Sequence, residues 1–86
     1  MKTTLTALPA GDGVYRIPSF NVAGVTVPMT TALFVDNQWT PFIDGENLQR
    51  QYARHGVNLC FHLVIANYLQ RQGVNPSLHI AIQGGK

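Results

Sequence analysis

The sequence predicts an α+β domain: a short antiparallel or mixed sheet of three to four N-terminal strands plus one C-terminal strand, with two consecutive helices packed on one face. Three observations predict it. β-Branched and aromatic residues dominate residues 14–43, two stretches bounded by helix start and stop residues follow between Asp44 and Gly73, and alternation returns at residues 78–82. Strands, then helices, then one strand is the order that places helices on one side of a sheet.

Residues 1–12 carry Pro9, Gly11 and Asp12, followed by Gly13, a composition that interrupts regular structure, and are expected to be a flexible tail or loop. From Val14 the chain reads as strands. Val14-Tyr15-Arg16-Ile17 and residues 21–27 alternate apolar with small or polar side chains, as a strand covered on one face requires. Asp36-Asn37-Gln38, between Phe34-Val35 and Trp39, is the best hairpin turn, because Asp and Asn tolerate the left-handed conformation. Pro18, Pro28 and Pro41 each lack a backbone donor and belong at strand ends, bulges or an edge.

Asp44 is the expected N-cap of a first helix over residues 45–55, with Gly56 as its left-handed stop. Leu48, Tyr52 and His55 would form its narrow apolar stripe, and Glu46, Arg50 and Arg54 another side. A second helix is expected over residues 58–72, capped by Asn58 and stopped by Gly73 ahead of Asn75-Pro76. Leu59, Cys60, Phe61, Leu63, Val64, Ile65, Ala66, Tyr68 and Leu69 leave it apolar nearly all round, so it is expected to be buried on more than one side. A chain this short cannot cover every side itself. The surplus points to a homodimer with Tyr68 and Leu69 at the seam, rimmed by Asn67 and Gln70.

Composition bounds the function. The 86 residues suit one domain, residues 1–86, and at this size an isolated fold is marginal. Only 12% of residues are charged, about half the usual share, and a weakly charged surface resists association poorly. One cysteine, Cys60, permits no intramolecular disulfide, and the apolar start is broken by Thr4, Thr6 and Pro9 unlike a secretory signal, so a cytoplasmic protein is expected. No apolar run approaches the ~20 residues of a membrane span, and no membrane partner is expected.

Chemistry-bearing patterns are sparse. Cys60 and His62, two apart on a helix, point about 200° away from each other and cannot readily share an ion, so no metal or other cofactor is expected. Cys60 near a helix N-terminus with His79 as base is the one thiol-enzyme pattern, and its apolar neighbours Leu59 and Phe61 oppose it. Asp44 and Glu46 are explained by a helix start. A net charge of +2 and a pI near 9.0, with Arg50 and Arg54 one turn apart, allow nucleic acid as an alternative partner.

The expected function is therefore a non-enzymatic protein-binding module using Trp39, Phe42, Arg50 and Arg54, residue types that interfaces favour. Inhibitors or adaptors of a larger host assembly, of the kind phages and mobile elements carry, are often chains of this size.

Overall fold

The β-branched and aromatic stretches do form strands, but more of them and shorter than their alternation suggests. The computed structural model describes residues 3–43, 46–47 and 56–84. Its strands are β1 (Thr3–Thr6), β2 (Leu8–Pro9), β3 (Val14–Ile17), β4 (Phe20–Val22), β5 (Val25–Val27), β6 (Thr30–Val35), β7 (Gln38–Ile43), β8 (Glu46–Asn47) and, after helix α1 (Val57–Arg71) and a 3-10 turn at Pro76–Leu78, β9 (Ile80–Gln83). They make an antiparallel sheet in the order β2-β3-β6-β7-β8, an antiparallel hairpin β4-β5, and a parallel pair β1-β9.

This architecture overturns the expected pair of consecutive helices on one sheet face: strands predominate, and α1 is the one α-helix among the described residues. Within the expected first helix, Glu46 and Asn47 instead form β8, opposite Ile43 and Phe42. The rest of residues 44–55, Arg50 and Arg54 included, lie outside the described residues. Gly56 is the N-cap of α1, in extended conformation (φ −61°, ψ 162°), and its carbonyl accepts from the Cys60 N–H at 3.0 Å. The edge of β7 offers backbone partners to Glu46 and Asn47, and this pairing takes precedence over their helix preference.

From Thr3 on, the N-terminal segment expected as a tail or loop is paired into sheets. β1 runs parallel to β9 in the register Thr3↔Ile80 to Thr6↔Gln83, the Ala7 N–H donates to the Gln83 carbonyl at 2.8 Å, and Leu5 and Ala7 are buried. The chain then passes directly into β2, which pairs with β3, so one short segment serves two sheets. Alternation in Leu5-Thr6-Ala7 is the strand signal, which the following Pro9 and glycines obscure.

Residues 21–27, read above as one alternating strand, fold back on themselves as β4 and β5. Ala23 (φ +50°) and Gly24 (φ +80°) form the two-residue turn, both left-handed as a type I′ hairpin requires, and Thr26 Oγ1 donates to Asn21 Oδ1 at 2.5 Å across it. Alanine in this conformation costs about 1 kcal/mol, whereas asparagine tolerates it. Ala23→Asn should therefore raise stability by about 0.5–1 kcal/mol, read as a higher urea midpoint at unchanged slope. A midpoint that falls or stays put would show that the turn carries no such strain. The β6–β7 turn is of the same type, with Asp36 at φ +52° and Asn37 at φ +62°. Gln38, expected in the turn, already pairs with Val35.

On α1 the buried residues are Val57, Cys60, Phe61, Val64, Ile65 and Leu69, spaced by three and four along a single stripe. The helix is thus buried on one side, packing against β5, β6, β7 and β9, and Leu59 is exposed. It ends in a Schellman motif: the Gly73 N–H bonds to the Gln70 carbonyl at 3.1 Å and the Val74 N–H to the Leu69 carbonyl at 2.9 Å, with Gly73 left-handed at φ +81°. Leu5, Ala7, Ile17, Val22, Val27, Ala32, Ile43 and Ile80 pack with this stripe in the core. Thr30, fully buried, donates its hydroxyl to the Pro28 carbonyl at 3.2 Å.

Candidate functional site

The longest pairing among the described residues, β6 with β7, decides which side chains can act together. Its register runs from Thr30↔Ile43 through Ala32↔Pro41 and Phe34↔Trp39 to Val35↔Gln38. Side chains alternate between faces, so Thr30, Ala32 and Phe34 share a face with Trp39, Pro41 and Ile43. Four of these six, Thr30, Ala32, Pro41 and Ile43, are buried beneath α1. Thr31, Leu33 and Val35 with Gln38, Thr40 and Phe42 form the opposite, outer face. Trp39 and Phe42, expected together as a binding pair, are therefore on opposite sides of the sheet.

What Trp39 does join is an aromatic cluster. Its ring stands edge-on to Tyr15, with centroids 5.5 Å apart at 68°, and lies 5.1 Å from Phe34 at 54°. Both are favourable quadrupole geometries. Tyr15 and Trp39 pack against the core, while Phe34, beside the turn and beyond the cover of the helix, is 48% exposed. The cluster thus grades from core to solvent, with Phe34 as its outer member. Sequence reading missed Phe34 and Tyr15. The signal that finds them is the cross-strand register of a two-residue turn, which pairs Phe34 with Trp39.

Cys60 lies under the same strand: its thiol contacts the Trp39 carbonyl at 3.9 Å. Cys60 is fully buried, and burial pushes its pKa up to about 12, because an anion there would lose its hydration. At pH 7 the group is therefore held as the neutral thiol, the opposite of what a nucleophilic cysteine needs. Cys60 acts as a small core hydrophobe. Among the described residues no three His, Cys, Asp or Glu side chains gather where a metal ion could be held.

Tyr68 and Leu69, expected at a dimer seam, lie on the last turns of α1. Leu69 is fully buried in its own chain, and Tyr68 is half-buried and packs against the same core. Arg50 and Arg54 lie outside the described residues. No described helix is long and apolar enough to cross a membrane. In comparisons with protein-family models, curated proteins and solved structures, nothing matches this chain.

Proposed function

We propose that the chain is a non-enzymatic protein-binding module whose contact point is the aromatic end of the β6–β7 hairpin, and that it acts as an adaptor or inhibitor by occupying a surface of its partner. The observation that carries this reading is Phe34, 48% exposed yet braced at 5.1 Å by Trp39, which Tyr15 braces in turn. A large apolar side chain held rigid by its neighbours loses little conformational entropy when it enters a pocket, which is how aromatic anchors come to dominate interfaces.

The test is affinity capture from the source-cell lysate with wild-type and Phe34→Ser baits of equal melting temperature, followed by binding measurements on any protein retained by the wild type alone. Phe34→Ser should weaken that binding by about 10- to 100-fold. Recovery of the same proteins by both baits would remove the aromatic end from the site. Retention of nucleic acid, released steeply by added salt, would instead favour the Arg50/Arg54 reading.

A further inference from the structure

The outer face of the five-stranded sheet, opposite α1, is a second surface, independent of the aromatic end. Register lays it out in rows: Leu8, Arg16, Thr31 and Phe42 across one, Val14, Leu33 and Thr40 across the next, then Val35 and Gln38 beside the turn. Leu8 (47%) and Val35 (49%) are exposed, as is Arg16, and Val14, Leu33 and Phe42 are half-buried. Five apolar residues, Leu8, Val14, Leu33, Val35 and Phe42, thus share the face with Arg16, Thr31, Gln38 and Thr40.

Its charges are arranged by end. Arg16 stands in the row farthest from the turn and has no carboxylate partner among the described residues. At the other end are Asp36, in the β6–β7 turn, and Asp12, in a loop held alongside β6 by the Phe34 N–H bond to the Gly13 carbonyl at 2.8 Å. The Thr31 row and Asp36 are separated by about 17 Å of strand, at about 3.3 Å per residue. A two-fold axis lying in the plane of the contact and running across the strands, midway between these ends, falls close to Leu33. It would lay the cationic end of each copy on the anionic end of the other and bring the apolar middles together.

We propose that this face is a self-association surface, on which a second copy of the chain packs face to face about a two-fold axis near Leu33. Self-complementarity is what an isologous contact demands, and this face has it in both charge and apolar pattern. Four strands about 4.8 Å apart and five residues long cover only about 300 Å² per copy. Stable dimers bury about 800 Å² per partner, so the association is weak and belongs to millimolar protein at low salt.

Sedimentation equilibrium under those conditions tests it, with Arg16→Asp and with the double variant Asp12→Arg/Asp36→Arg, each checked for native circular dichroism. The wild type should dimerise, and each variant alone should associate at least about tenfold more weakly, because like charges then face each other. An equimolar mixture of the two variants should recover wild-type association, since the mixed pair restores an Arg–Asp contact at both ends. Should a variant fail to fold, amide NMR shifts of the wild type on dilution give the same answer, moving at Arg16, Leu33 and Val35 and not along α1. A monomeric wild type, variants that associate like the wild type, a mixture that does not recover, or dilution shifts confined to α1 would each overturn the proposal. None of these measurements depends on Phe34, so failure here leaves the aromatic-end reading to its own test.

Discussion

Replacing Gly84 by alanine should destabilise the protein by about 2–4 kcal/mol, a fall in melting temperature of roughly 10–25 °C for a domain of this size. Two causes add. Gly84 has φ +99°, a conformation L side chains rarely adopt, and a Cβ there would lie 2.9 Å from the Ala7 carbonyl oxygen and 2.9 Å from Thr6 Cγ2. The crowding comes from the backbone of the N-terminal segment, which cannot yield without breaking the Ala7 N–H bond to the Gln83 carbonyl and loosening β1 from β9. Gly24→Ala provides the control. Gly24 is also left-handed at φ +80°, but a Cβ there meets nothing within 4 Å, so only the backbone cost of about 1 kcal/mol should appear. Thermal unfolding of both variants separates the terms, and equal losses would show that β1 does not approach Gly84 this closely.

The sequence announced those parts of the fold that are decided locally. A β-rich N-terminal half, a helix stopped by Gly73 and a turn at Asp36-Asn37 all rest on the conformational preferences of a few adjacent residues. What it concealed was decided by distant partners. Thr3–Thr6 becomes a strand because Ile80–Gln83, at the other end of the chain, supplies its backbone bonds. Glu46 and Asn47 follow the edge of β7 rather than the capping signal at Asp44. Residues 21–27 had an acceptable single-strand pattern, and nothing local disclosed that Ala23 would take a left-handed conformation.

The candidate site was legible to the same extent. Trp39 was singled out for its residue type, but its partners Tyr15 and Phe34 follow from strand register, and that register also separates Phe42 from it. Residue type alone identified an anchor and could not say which side of the sheet it serves. For Cys60, helix position argued for a low pKa and burial decided the opposite, because desolvation of a thiolate outweighs half a charge of helix dipole.

Leu69 shows how the count of apolar residues misled, and its truncation is the other large effect expected. Nine apolar residues from Leu59 to Leu69 read as a helix covered on several sides, yet the buried ones fall in one stripe and Leu59 is exposed. Leu69 ends that stripe, fully buried, and its carbonyl accepts from the N–H groups of Gln72 and Val74, both at 2.9 Å. Leu69→Ala should leave a cavity between the last turn of α1 and the core and cost about 2–5 kcal/mol, whereas Leu59→Ala should change stability by no more than about 0.5 kcal/mol. Protein concentration distinguishes a core position from a seam. A core leucine loses the same stability at every concentration, while a leucine between two copies would leave a folded monomer whose deficit vanishes on dilution of the wild type. Urea unfolding of both variants and the wild type at two widely separated concentrations reads this directly. A deficit for Leu69→Ala that shrinks on dilution would return Tyr68 and Leu69 to a dimer interface and contradict the packing described above.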